Sequence, residues 1–188
     1  GAPECALINR ASPNEFPTSV RIAPANIAFL ETAGIDFDLS YRRMLGDGNF
    51  STRLYLNYLD KYVSQQFAGA PVLNYRGVTF IENNYPRSRP NWRGTLNVSY
   101  EIGNVGIFLS EQFIGSSYLD NPGGPNKFAF NTKVKNVFYT DLTMKYTVDG
   151  LGGGLEFFGT VNNLFDKNPP IIAPTTPGAN LPTAQAIY

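Results

Sequence analysis

The chain has 188 residues, of which 14% are aromatic and 16% charged, with 15 basic side chains against 15 acidic ones, one cysteine and no histidine. A zero balance leaves no basic footprint for nucleic acid. A lone Cys5 without imidazole argues against zinc and haem sites and against Ser–His or Cys–His catalysis, so neither a cofactor nor an enzymatic activity is expected. The aromatics, 18 Gly and 14 Pro favour strands and turns, and charge this sparse suits a protein that shows apolar residues to lipid.

In chain order, the opening Gly1-Ala2-Pro3-Glu4-Cys5 has no initiator Met and no signal-peptide pattern, and it reads as a cut point in a longer protein. No apolar run reaches the roughly 18 residues of a membrane-spanning helix. The first predicted strand is Leu30 to Arg43. Ala33, Ile35, Phe37, Leu39 and Tyr41 fall on one face, and Gly34, Asp36, Asp38, Ser40 and Arg42 on the other. A helix would scatter both sets around its circumference.

A turn rich in Gly, Asp and Asn follows at Leu45 to Asn49. The second strand runs from Phe50 to Tyr62, with Thr52, Leu54, Leu56 and Tyr58 opposite Arg53, Tyr55 and Asn57, and Leu59 out of pattern. The third, Asn91 to Glu101, sets Trp92, Leu96, Val98 and Tyr100 against Arg93, Thr95, Asn97 and Ser99. After the Ile102-Gly103-Asn104 turn, the fourth begins at Val105. There Val105, Ile107 and Leu109 oppose Gly106, Ser110 and Gln112, and Phe108 breaks the alternation. The fifth, Val137 to Val148, places Leu142, Met144, Tyr146 and Val148 against Tyr139, Asp141, Thr143, Lys145 and Thr147. A glycine-dense turn at Asp149 to Gly153 leads to the sixth, Gly154 to Phe165. Leu155, Phe157 and Val161 there oppose Glu156, Thr160 and Asn162, with Phe158 as the exception.

Short turns thus follow strands one, three and five. The connections at residues 63–90, 119–136 and 166–188 are long, rich in Pro, Gly and Asn, and without periodicity. Short connections at one end of a sheet and long ones at the other are what a transmembrane barrel requires: periplasmic turns and extracellular loops. Strands of about 9–11 residues cross a hydrocarbon core when tilted. Tyr41, Tyr100 and Tyr146 lie near the short-turn ends, and Trp92 and Phe113 near the long-loop ends, where aromatic girdles belong. The competing reading, a soluble β-sandwich, would bury the same aromatics between two sheets.

The sixth strand runs into Asn162-Asn163-Leu164-Phe165-Asp166-Lys167-Asn168-Pro169-Pro170. Pro169 and Pro170 cannot donate to a ladder, and Asn and Asp favour turn geometry. The segment Asn163-Leu164-Phe165-Asp166 resembles the signature near the C-terminus of TonB-dependent outer-membrane receptors. Glu31-Thr32-Ala33-Gly34-Ile35-Asp36-Phe37 and Pro86-Arg87-Ser88-Arg89-Pro90-Asn91-Trp92-Arg93 are similar to other barrel-strand entries of that family. The resemblance implies an all-β, antiparallel transmembrane barrel fragment of about six long strands spanning residues 1–188. The family's barrel has about 22 strands around a plug, so the plug, the final strand and the N-terminal energy-coupling segment are expected outside this sequence.

The implied function is active import of a scarce nutrient, such as an iron–siderophore complex, a cobalamin or a saccharide, across the outer membrane of a Gram-negative bacterium. The implied partners are outer-membrane lipid, the rest of the same receptor, TonB reached through the missing N-terminal part, and a small-molecule substrate. On this reading residues 1–29 are an extracellular loop returning to the membrane, and Cys5 pairs with a cysteine upstream of this sequence in the receptor, since the periplasmic route permits disulfides. Candidate ligand contacts in the long loops are Tyr75, Arg76, Tyr85, Arg87 and Arg89, with Tyr118, Asp120, Asn126 and Lys127 in the next loop. Arg and Tyr together suit an anionic, aromatic chelate, although solvated loop residues have the same composition. Glu31, Asp36 and Asp38 are read as wall charges and not as a glycosidase pair. Gly152-Gly153-Gly154 lacks the helix and Lys-Ser/Thr of a phosphate loop. A passive porin-like barrel and a sugar-binding sandwich remain the alternatives.

Overall fold

The computed structural model describes residues 3–21, 29–82, 85–119, 133–150, 154–172 and 185–186. They form an all-β chain without α-helix, apart from one turn of 3-10 helix at Pro3–Leu7. Six long strands carry the fold: β1 (Phe29–Leu45), β2 (Gly48–Gln65), β3 (Trp92–Ile102), β4 (Val105–Ile114), β5 (Val137–Val148) and β6 (Leu155–Val161). Each pairs antiparallel with its neighbour in sequence, giving the order β6-β5-β4-β3-β2-β1, and Leu73–Asn74 adds a short pairing on β2. The expected meander is therefore present, and the expected fifth strand coincides with β5 at both ends.

The register explains why alternation was so regular. Directly opposed residues share a face. Leu39 opposes Leu54, which opposes Leu96; Val98 opposes Leu109, which opposes Leu142, which opposes Val161. Every apolar set predicted from one strand thus joins its neighbour's set in one continuous sheet face. The other face collects Asp36, Asp38, Arg53, Asn97, Ser110, Asp141 and Lys145. A single break occurs where the register shifts between Ala33 and Gly34, opposite the Leu59–Lys61 stretch of β2. Leu59 lies at that irregularity, which accounts for its place outside the pattern. A Cβ on Gly34 would stand 2.4 Å from the Tyr58 carbonyl oxygen, so the bulge requires glycine there.

Two features differ from the sequence expectation. The sixth strand ends at Val161, four residues before Phe165, because Asn163 and Asp166 take φ values of 50° and 47°. Left-handed backbone cannot continue a ladder. The connections at 63–90 and 119–136 are also not structureless. β2 extends to Gln65, and Val78–Glu82, Tyr85–Arg89, Ser117–Leu119 and Lys133–Val134 make a second, four-stranded sheet. This small sheet joins the two long connections through a parallel pairing of Tyr118 with Val78 and Leu119 with Thr79, where only antiparallel pairing was expected. Thr79, 0% exposed, bonds to both Ser117 and Ser88, so hydroxyls tie the connections together.

The core is small and lies at this end of the molecule. Ile114, Leu119, Val134 and Val137 are the buried hydrophobic side chains among the described residues. The large sheet is a single layer: Phe37, Leu39 and Met144 on its apolar face are 48, 65 and 51% exposed. The outer edges of β1 and β6 carry no long partner strand among the described residues, and the sheet is open and not a closed barrel.

Candidate functional site

The two faces of the large sheet are chemically opposite. On the apolar face the aromatics fall in two rows. Phe50 and Tyr58 on β2, Trp92 and Tyr100 on β3, and Phe138 and Tyr146 on β5 are each eight residues apart. Because Phe50 opposes Tyr100 and Tyr58 opposes Trp92, the ends of these pairs align across strands. The row at the long-connection end makes close, tilted ring contacts: Tyr58 and Trp92 lie 4.6 Å apart between centroids, and Phe113 and Phe138 4.8 Å. At the short-turn end Tyr41 meets Phe50 at 6.4 Å, and Tyr100 donates from its hydroxyl to the Leu45 carbonyl across Gly48. A Cβ on Gly48 would collide with that ring at 2.4 Å, so glycine gives the tyrosine its seat. Between the rows the face is aliphatic: Leu39, Leu54, Leu96, Val98, Leu109, Leu142 and Met144. The exceptions are Thr52 and the pair Glu111 and Thr140, in which Glu111, opposite Leu96, accepts a hydrogen bond from the Thr140 hydroxyl.

Several charges of the polar face are paired within it, while Arg42, opposite Ser51, has no partner among the described residues. Arg53 sets its fork on Asp38, from Nε at 3.0 Å and Nη2 at 2.7 Å, and lies over the Tyr55 ring. Lys145 reaches Glu101 at 2.6 Å by lying flat across Gly106, whose missing Cβ would stand 2.6 Å from Lys145 Cε. Phe108, the residue that broke the alternation of β4, packs beneath that ammonium at 5.3 Å. Asp36 accepts from Asn57 at 2.6 Å. Glu31 pairs with Lys61 at 2.7 Å beyond the bulge, on the side of the sheet that carries Ala33 and Ile35. The carboxylates Glu31, Asp36 and Asp38 are therefore each committed to a partner. Away from β1, a depression of about 250 Å³ lies across β2 to β5, lined among others by Ser51, Arg53, Asn97, Ser99, Phe108, Ser110, Asp141 and Thr143.

Of the predicted loop contacts, the structure brings Tyr75 and Arg89 together around Tyr62, a residue not singled out in advance. The Arg89 guanidinium stands 4.4 Å from the Tyr62 ring and 5.6 Å from that of Tyr75. Arg76 is apart from them, donating to the Leu59 carbonyl at 3.0 Å and the Tyr58 hydroxyl at 2.6 Å. Tyr85 and Arg87 lie in the strand Tyr85–Arg89 of the small sheet, with Arg87 opposite Phe80. Tyr118 is exposed, and Asp120, Asn126 and Lys127 lie outside the described residues. The five candidates thus do not converge on one point. Tyr75, Arg76 and Arg89 brace the long connections against the end of β2. Cys5 is free and exposed.

The Asn163-Leu164-Phe165-Asp166 segment forms a built turn. The Asn163 backbone N–H donates to the Asp141 carboxylate at 2.8 Å, and its side-chain amide bonds the Lys167 backbone in both directions, at 2.9 and 3.2 Å. Leu164 N–H returns to the Thr140 carbonyl at 2.7 Å. Asn163 and Asp166 are the residue types that tolerate left-handed backbone, which is the physical content of the motif. Asp141 was not foreseen as its anchor, because nothing in one strand signals a bond to the turn after the next.

A scan against protein-family models, a search of curated proteins and a search of solved structures each return no match to this chain.

Proposed function

We propose that the chain is a section of the wall of an outer-membrane β-barrel, of the kind TonB-dependent receptors use to import a scarce nutrient. The apolar face meets lipid and the polar face lines the lumen. The observation that carries the reading is the pair of aromatic rows bounding an exposed aliphatic band. Eight residues of strand span roughly 27 Å. A strand tilt of about 35–45° reduces this to roughly 19–22 Å, near the 25 Å band of such barrels. A soluble sandwich needs a second sheet on that face, yet Leu39, Leu96 and Met144 are open. Barrel closure and a plug are supplied by further strands and domains of the same protein, with TonB as the energy-coupling partner. The turn at Asn163–Asp166 favours the receptor over a passive porin, since it is the segment resembling the receptor signature. In this reading the protein transports and is not an enzyme.

Trp92 is the chain's only tryptophan, and it sits in the long-connection row. In full-length protein reconstituted in vesicles, once any other tryptophans are replaced, its fluorescence should be quenched most by lipids brominated near the headgroup. Quenching by an aqueous quencher alone, with no effect of brominated lipid, would refute the barrel.

A further inference from the structure

On the polar face Arg53 is held by Asp38 and Lys145 by Glu101, and Arg93 reaches to the Ser88 carbonyl at 2.6 Å. Asp141 is placed differently. It forms no ion pair among the described residues; its Oδ1 accepts from the Asn163 N–H, and its Oδ2 accepts no hydrogen bond from them. Directly opposite it stands Ser110 on β4, and opposite Ser110 stands Asn97 on β3. Neither of those side chains makes a hydrogen bond among the described residues. Residues opposed in this way lie about 4.5–5.5 Å apart at Cα. A carboxylate oxygen, a hydroxyl oxygen and an amide oxygen are thus brought within reach of one point above Ser110. All three residues line the depression of about 250 Å³.

We propose that this point binds the ammonium group of a cationic amine solute. The inference rests on the barrel reading and names a solute class for its lumen. An ammonium has three N–H donors and no acceptor. It finds three acceptors here, one of them a carboxylate oxygen, with which charged donors form the stronger class of hydrogen bond. The cations of the same face do not reverse the sign of this spot. Arg53 and Lys145 are each engaged by a carboxylate. Arg42 has no partner among the described residues, but it lies on β1, opposite Ser51. Four strand spacings separate β1 from β5, roughly 19 Å, well beyond the screening length of about 8 Å at physiological ionic strength. Phe108, two residues along β4 from Ser110, lines the same depression and offers an apolar surface to the carbon stem of the amine.

The test uses the full-length protein in a non-ionic detergent with three probes of one shape and different charge. These are n-butylamine, n-butanol and butyrate, each titrated by saturation-transfer NMR at neutral pH. Butylamine should bind about tenfold more tightly than either of the others. Asp141→Asn keeps an oxygen for the Asn163 N–H but removes the charge, and it should weaken butylamine binding about tenfold. Ser110→Ala and Asn97→Leu should each weaken it about fivefold, and they carry the test where the aspartate variant fails to fold. Asp36→Asn, which removes a carboxylate on β1 of the same face, should leave binding unchanged. No butylamine binding, butyrate binding as tight as butylamine, or binding that ignores the Asp141, Ser110 and Asn97 variants overturns the proposal. So does a loss with Asp36→Asn as large as with Asp141→Asn, since that is general attraction to acidic groups. The Trp92 measurement on the same protein separates the two readings. Lipid quenching without butylamine binding removes this site alone, whereas Asp141-dependent binding with Trp92 in water removes the barrel and keeps the site.

Discussion

At the scale of single residues, the glycines and the left-handed asparagine are the positions where backbone geometry decides the side chain. Gly34 and Gly159 make a controlled pair. A methyl at Gly34 meets a backbone oxygen at 2.4 Å, which cannot move without breaking the bulge, whereas nothing lies within 4 Å of a methyl at Gly159. Gly34→Ala should therefore cost about 1–3 kcal/mol, in the range of an overpacked site, and Gly159→Ala should be neutral or slightly stabilising through lost chain entropy. Urea unfolding of the folded full-length protein in detergent would read both, and equal effects at the two positions would contradict the register. Asn163 makes a second case. Asn163→Gly keeps φ near 50° but loses the two bonds to Lys167, and Asn163→Val loses the bonds and adds left-handed strain. The valine variant should be the worse by about 1–2 kcal/mol. If glycine is as damaging as valine, the bonds and not the backbone hold the turn.

Among elements, the two faces are what pairing creates and what function would use. Spin labels at Leu39, Leu96 and Met144 in the reconstituted full-length protein should be accessible to oxygen dissolved in lipid. Labels at Asp38, Asn97 and Lys145 should respond instead to a water-soluble relaxant. A reversed pattern would mean the polar face meets lipid, since a slip of one residue inverts a strand. These faces were legible in the sequence because a half-exposed strand has a strict period of two, and β5 shows it from Asp141 through Val148. The apparent errors in the alternation have separate causes. Phe108 supports Lys145, Leu59 sits at the bulge, and Phe158 lies on the edge strand β6, where it is 75% exposed. The small sheet was not legible. Its strands are two to five residues long, include Pro86, and depend on a pairing of Tyr118 with Val78 across 40 positions of chain.

For the whole molecule, the balance of burial and edge decides how the chain behaves by itself. Four buried hydrophobic side chains among the described residues are far too few to hold a domain of this length in water. The cross-strand pairs of the large sheet, each worth about 0.2–1 kcal/mol, stabilise a layer whose apolar face has nothing against it. In water that face is an aggregation surface. In lipid the face is satisfied, but the outer edges of β1 and β6 expose backbone N–H and C=O groups, each costing several kcal/mol in hydrocarbon. The sheet is therefore comfortable in neither solvent without strands to continue it. Residues 1–188 expressed alone should consequently collect in inclusion bodies or in detergent-dependent oligomers, with β1 pairing edge to edge between copies. Size-exclusion chromatography with and without detergent, followed by a solute-uptake assay in vesicles, measures this directly. A monodisperse, cooperatively unfolding monomer in plain buffer would show that the apolar face finds cover within the chain and would return the molecule to the soluble β proteins. Robust uptake by the chain alone would show instead that the sheet closes without further strands.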